Sequence, residues 1–297
     1  MVVMAEDLFI KGHNACAGCG CALCMRWVLN TLGKDTVVAN ATGCMEVVST
    51  QYPASSWGVP YVHSVFANAA AVASGVTRAF RKQGRSKDTV VAIGGDGSTY
   101  DIGFGTLSGA MERNEDMIYV CYDNEAYANT GVQRSGATPF ASATTTSPQE
   151  IGGKHEWKKN LAFIAAAHGI PYVATASVGF LPDLEKKLLK AKAMKGFRLI
   201  VVYAPCTLGW RIPADKMVEV ARMAVNTGLW NLFEIEDGKF SMSAKPTLEP
   251  VDGYLRMQGR FKHLTAEQIR FIQEHARATR LELEKLEASG VNVGRIL

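Results

Sequence analysis

The run TVVAIGGDG, residues 89–97, is apolar on both faces until it ends in glycines. DMIYVCYDN, residues 116–124, repeats the pattern. A strand that is apolar on both faces must be covered on both, and a parallel sheet flanked by helices does this. Between the two runs GFGTLSGAMERN (103–114) reads as a helix, so the stretch is a βαβ unit with a right-handed crossover. The alternation extends in both directions. ALCMRWVLNTLG (22–33) carries apolar residues at helical spacing and stops at Gly33. DTVVANATGC (35–44) reads as a strand running into a Gly-Cys turn, and FANAAAVASGVTRAFR (66–81) as a closely packed helix of small residues. KKNLAFIAAAHG, PYVATASV, LPDLEKKLLKAKAM and FRLIVVYAPC carry the pattern to residue 206. The expected fold class is α/β, a doubly wound, mostly parallel sheet.

Two regions break the alternation. Residues 128–150 are polar, small and turn-rich, and a loop of that length in a compact domain is often functional. After about residue 225 the character changes. LWNLFEIEDGKFSM reads as a β-hairpin, and residues 264–289 as a long charged helix with Thr265 at its N-cap. The expected organisation is an α/β domain over residues 1–225 and a C-terminal extension over 226–297. The thin apolar stripe of the long helix suits a contact with another subunit.

Net charge is +4, with Lys and Arg scattered, whereas a nucleic-acid surface wants a basic stripe. The N-terminal MVVMAEDLFIKGH lacks the apolar run of a secretory signal, and no segment reads as a membrane span. The expectation is a soluble cytoplasmic protein with no nucleic-acid or membrane partner. That bears on the cysteines. CAGCGCALC, residues 16–24, holds four of the seven in the chain. In the cytoplasm structural disulfides are rare, so metal ligation or buried free thiols are the fitting uses. Spacing alone leaves a four-thiolate zinc site and an iron–sulfur cluster both open.

The turn GGDGSTYD (94–101) places Asp96 just past the end of a strand, where ligands bind in open α/β sheets. Its glycines, Gly95 and Gly97 among them, let backbone approach a ligand. An acid there suits a hard cation that itself holds phosphate oxygens. Twenty-six residues separate Gly97 from Asn124. If the two strands are neighbours, Asn124 stands beside Asp96 at the same sheet edge. A carboxylate, an amide oxygen and a backbone carbonyl would then make a magnesium site with room for diphosphate oxygens.

G-D-G, this interval and then Asn resembles the diphosphate–magnesium motif of thiamine-diphosphate enzymes. The stretch GDGSTYDIGFGTLSGAMERNEDMIYVCYDNEAYANTG more narrowly resembles the cofactor-binding part of 2-oxoacid:ferredoxin oxidoreductases, especially the pyruvate enzyme. The resemblance covers roughly residues 8–215. It implies a thiamine-diphosphate-binding fold and magnesium (Mg2+) held by Asp96, Asn124 and the carbonyl of Ala126. It places Asn129 near the thiazolium and the substrate, as a catalytic residue. SVFANAAAVASG (64–75) resembles a segment lining the cofactor pocket, although the family commonly carries an acid where Ala67 stands.

The resemblance also sorts the cysteines. In this family C-x2-C, a third Cys and a distant fourth in an A-P-C turn hold a 4Fe-4S cluster. Cys16, Cys19, Cys44 in ATGC and Cys206 in YAPC match those positions. Cys21, Cys24 and Cys121 are left as buried thiols. His13 and His63 lie near the motifs and are expected to be satisfied by local hydrogen bonds. The implied activity is thiamine-dependent oxidative decarboxylation of a 2-oxoacid, reversible, with electrons passing through the cluster to ferredoxin and the acyl group leaving on coenzyme A. Pyruvate is the expected substrate. Oxalate, a branched-chain 2-oxoacid and 2-oxoglutarate are the alternatives, and a non-catalytic electron-transfer subunit is the alternative of another class. The long C-terminal part fits the pyruvate or branched-chain type better than the 2-oxoglutarate type. The carboxylate that activates thiamine has no match here. Glu46 and Glu125 are the nearest acids, and neither stands at the family position. The chain is therefore expected to be one subunit, of beta type, in a hetero-oligomer whose alpha-, gamma- and delta-type partners bring that glutamate, the coenzyme A site and further clusters.

Overall fold

The computed structural model describes residues 7–85 and 87–294. The elements in chain order are α1 (Gly20–Leu32), β1 (Thr36–Ala41), α2 (Cys44–Ser49), β2 (Tyr61–Ser64), α3 (Ala69–Lys82) and β3 (Thr89–Gly95). A π-helical turn (Gly97–Ile102) leads into α4 (Phe104–Glu112) and β4 (Met117–Asp123). Then come α5 (Leu161–Ala166), β5 (Tyr172–Ser177), α6 (Leu181–Ala193), β6 (Phe197–Tyr203), α7 (Thr207–Trp210) and α8 (Met217–Asn226). The chain finishes with β7 (Phe233–Glu236), β8 (Lys239–Met242), α9 (Val251–Arg256) and α10 (Ala266–Ser289).

The eight strands form one sheet in the order β2-β1-β3-β4-β6-β5-β7-β8. The first six are parallel, and β7 and β8 run antiparallel at one edge. β1, β4, β5 and β6 are buried along their whole length, as strands covered on both faces must be. α1 packs against α6 on one side, and α3 against α4. α1 stops where Gly33, at φ 82°, turns its N–H back onto the Leu29 carbonyl. α10 starts with a full capping box between Thr265 and Gln268.

From β1 the chain steps outward to β2, while from β3 it steps the other way to β4. The carboxyl ends of β1 and β3 therefore flank a topological switch point, where open α/β sheets bind ligands. The strand read within 35–44 ends at Ala41, ahead of its Gly-Cys turn, so that Thr42 and Gly43 line that crevice and Cys44 begins α2. The hairpin after residue 225 is not set apart from the sheet: β7 pairs with β5, Val173 opposite Ile235. Short β2, with mixed burial, and the brief helices α7 and α9 carried too little periodicity to be read.

A candidate thiamine-diphosphate site beside a cluster of cysteines

A cavity of about 310 Å³ opens at the switch point. Three turns line it: Thr42–Cys44 after β1, Gly95–Ser98 after β3, and Asn124 with Ala126–Thr130 after β4, closed by Phe66. β3 and β4 are neighbours, with Gly95 opposite Tyr122, so the two motif turns emerge side by side. Gly97 must be glycine, because a Cβ there would stand 2.3 Å from the Tyr127 ring. At Gly43 a Cβ would meet the Tyr122 hydroxyl at 2.7 Å. Asn129 lies exposed at the rim of the cavity.

Asp96 is buried, and its Oδ2 accepts a 2.5 Å hydrogen bond from the Ser135 hydroxyl. Burial, and then the negative charge of Asp123, push its pKa well above the usual carboxylate range. The cation nearby, Lys158, is engaged by Asp123 at 2.7 Å and Glu125 at 3.0 Å. A buried carboxylate without its own cation is costly unless another positive charge arrives. Asn124 sits against it. One end of the Asn124 carboxamide lies 3.0 Å from Asp96 Oδ1 and 2.7 Å from the Ala126 carbonyl oxygen. With nitrogen at that end, it donates to both. With oxygen there, it stands from each of the other two oxygens at the roughly 3 Å spacing that adjacent ligands of an octahedral magnesium ion adopt at bonds of about 2.1 Å. The donor set, all oxygen and one of them charged, is of the hard type that magnesium prefers.

Glu125 points elsewhere. Its backbone takes φ 61°, which turns the side chain away from its neighbours. Its carboxylate pairs with Arg260 at 2.7 Å and Lys158 at 3.0 Å. Burial would raise its pKa, but Lys158 and Arg260 outweigh that and hold it low. The Arg260 guanidinium stacks 3.7 Å over the Trp210 ring, and Trp210 Nε1 donates to the Asn124 carbonyl at 2.8 Å. The Thr138 hydroxyl donates to the Glu125 carbonyl at 2.6 Å. The turn carrying Asn124 and Ala126 is thus fixed from the C-terminal segment and from the 128–150 loop. Glu46 accepts from the Thr50 hydroxyl at 3.1 Å and is outside the cavity lining, in which Asp96 is the carboxylate.

Cys16 and Cys19 stand in the loop before α1, Cys44 at the start of α2 and Cys206 at the N-cap of α7. The first loop is stitched to the Cys206 turn: Gly20 N–H donates to Pro205 O at 3.2 Å and Thr207 Oγ1 to Ala17 O at 3.1 Å. Gly209 N–H points at Cys206 Sγ, 3.3 Å away. The four sulfurs sense one another. Burial first, then negative charge on Cys206, Cys19 and Cys16, pushes the Cys44 thiol up to about 12. Burial and the charges of Cys19 and Cys16 raise Cys206. The neighbouring Cys21 thiol draws Cys19 down to about 7 against the effect of burial. Among the described residues no three His, Cys, Asp or Glu side chains close on a point as a single metal ion requires. Cys44 also lines the cavity, so the cysteine cluster adjoins the crevice.

Cys21, Cys24 and Cys121 are buried. His63 bonds Thr42 Oγ1 at 2.8 Å, and His13 stacks on Phe9 with ring centroids 4.9 Å apart. Sequence reasoning overlooked Ser135, Trp210 and Arg260. Each is remote in sequence from the motif it supports, and no local pattern marks it.

The fold and this crevice define a thiamine-dependent enzyme. A family model described as thiamine pyrophosphate enzyme, C-terminal TPP binding domain, matches residues 41–202. Pyruvate synthase subunit PorB of Methanocaldococcus jannaschii is 51% identical over 288 residues, covering 93% of this chain and 97% of that protein. Its counterpart in Methanothermobacter marburgensis is 50% identical, covering 95% and 99%. Ketoisovalerate oxidoreductase subunit VorB of Pyrococcus horikoshii is 40% identical, covering 92% and 91%. A solved 2-oxoglutarate:ferredoxin oxidoreductase from Magnetococcus marinus shares the fold at 22% identity and a TM-score of 0.60, over 74% of this chain and 80% of that one. The chain belongs to the thiamine-diphosphate-binding subunits of 2-oxoacid:ferredoxin oxidoreductases. No helix among the described residues is long and apolar enough to cross a membrane.

Proposed function

We propose that this chain is the thiamine-diphosphate-binding subunit of a pyruvate synthase, a multi-subunit complex that interconverts pyruvate and coenzyme A with acetyl-CoA and CO2, exchanging electrons with ferredoxin. The observation that carries the substrate is the 50–51% identity to pyruvate synthase subunits along nearly the full length of both chains, against 40% for the ketoisovalerate subunit. Asp96, Asn124 and the Ala126 carbonyl would hold magnesium with the cofactor diphosphate. Gly95 and Gly97 leave room for that diphosphate, and Asn129 at the rim would face the substrate. Cys16, Cys19, Cys44 and Cys206 would hold a 4Fe-4S cluster. When bound, the cofactor supplies an electron sink for loss of CO2 and the cluster a one-electron acceptor beside it.

The chain's own residues do the positioning. Ser135 occupies one Asp96 oxygen and leaves the other facing Asn124 and Ala126. A divalent cation there would keep Asp96 ionised despite its burial. Phe66 and Tyr127 pack beside the turn, with ring centroids 5.8 Å apart. Cys44, shared by cavity and cysteine cluster, keeps the electron path short. The carboxylate that must activate the cofactor belongs to a partner subunit, because Glu125 is held by Arg260 and Lys158 and Glu46 lies outside the lining. Reduction of a viologen dye by the purified complex, with pyruvate, 2-oxoisovalerate, 2-oxoglutarate or oxalate in turn, tests the reading. The highest kcat/KM is expected with pyruvate, and a higher value with any other acid overturns the substrate assignment.

A further inference from the structure

Cys21 belongs to neither ligand set, yet its sulfur touches Asn124 of one and it follows Cys19 of the other by two positions. It lies in the first turn of α1, and 2% of its surface is exposed. Its Sγ is 3.5 Å from Asn124 Nδ2 and 3.8 Å from the Ala204 carbonyl oxygen. The single S–H of a thiol serves one acceptor at a time. Ala204 O is the acceptor in reach. With its proton directed there, the Cys21 sulfur presents a lone pair to Asn124.

The Asn124 carboxamide can face either way, and the Cys21 lone pair is a partner for only one of them, with nitrogen toward the sulfur. Its far end stands 2.7 Å from Ala126 O and 3.0 Å from Asp96 Oδ1. Nitrogen there would suit an empty turn, with oxygen then facing Cys21. Oxygen there suits a cation and leaves nitrogen to donate to a sulfur acceptor. Ligand atoms of hard cations are held by such outer partners, whose loss typically costs 10–100-fold in metal affinity. We propose, on the basis of the magnesium site argued above, that Cys21 is a positioning residue for that site. Its sulfur accepts the Asn124 side-chain N–H and turns the Asn124 oxygen toward Asp96 and Ala126. The second cysteine pair of CAGCGCALC thus contributes a residue to the diphosphate end of the crevice while its backbone carries α1.

The test uses the assembled complex with Cys21→Ala and Cys21→Ser. Each is stripped with chelator and titrated with magnesium at fixed thiamine diphosphate, and cofactor retention is read by equilibrium dialysis. Cys21→Ala should raise half-saturating magnesium about tenfold or more, while Cys21→Ser, which still accepts, should stay within about threefold of wild type. In an Asn124→Asp background both ends of the side chain are oxygen, and Cys21→Ala should then change half-saturation less than twofold. If Cys21→Ala does not assemble, Cys21→Val fills the site without accepting and takes its place. Equal impairment in the Ala and Ser variants, or no impairment in Ala, overturns the role of Cys21. Retention that ignores magnesium in wild type and survives Asp96→Ala overturns the magnesium site itself, a distinct outcome.

Discussion

Replacing Arg260 by alanine should destabilise the chain in a pH-dependent way. Three buried groups and the half-buried Lys158 balance here: Asp123 and Glu125 against Lys158 and Arg260. Arg260 is 4% exposed and Glu125 5%, so water screens this pair little. Removing one member of such a pair costs about 3–5 kcal/mol, because the other charge is left buried. Lys158 still lies 3.0 Å from Glu125 but also serves Asp123 at 2.7 Å, so it offsets only part of the loss. About 3 kcal/mol near neutral pH is expected, on the order of 5 °C in Tm for a chain of this size. In the wild type the Glu125 carboxyl is held below its ordinary value, so its contribution is complete above the unfolded value of about 4.3 and lost as pH falls through the folded one. In Arg260→Ala burial dominates and the carboxyl rises above its unfolded value. The penalty is then full at high pH and relieved as pH falls through that raised value. Calorimetry of the complex between pH 5.5 and 8 should show the gap to wild type widening with pH. Arg260→Lys, which keeps the charge without the fork or the stack on Trp210, should fall between them. A gap under about 1 kcal/mol, or one constant with pH, would refute the account of Glu125 as a charge held buried by Arg260.

Asp96→Ala should abolish thiamine diphosphate retention through gel filtration, measured as thiamine per complex, and full retention would remove Asp96 from the site. Serine at Cys16, Cys19, Cys44 or Cys206 should lower iron content and lose or convert the low-temperature paramagnetic signal of the reduced protein. Serine at Cys24 or Cys121 should leave that signal and cost about 1–2 kcal/mol in packing; bleaching by Cys24→Ser but not Cys206→Ser would reverse the ligand set. The chain expressed alone with thiamine diphosphate, magnesium and an artificial acceptor should turn over pyruvate at under about a hundredth of the complex's rate, the scale of a lost general acid–base group. Turnover equal to the complex would place the activating carboxylate in this chain.

The fold class and the two motif turns were legible because their determinants are local. Apolar runs over 89–95 and 116–123 must be covered on both faces, which dictates a parallel sheet before any contact is known. Asp96 and Asn124 could be placed past strand ends by the same reading, and Thr265 at a helix start as an N-cap residue, where the structure adds the bond to Gln268. Glu125 was a candidate acid by sequence position alone, and its positive φ, invisible in the sequence, sends it into an ion-pair network instead.

By itself the sequence determined the alternation of strand and helix and the interval between the two turns, and its family resemblance singled out four of the seven cysteines. It did not determine that β3 lies between β1 and β4, which is what brings Cys44 and Asp96 to one crevice. Nor did it pair Ser135 with Asp96, 39 positions away, or Cys21 with Asn124, 103 away. Periodicity records how one segment meets solvent and core. Strand order and side-chain pairing arise when separate segments are packed together, and the distances that hold Asn124 in place are set only there.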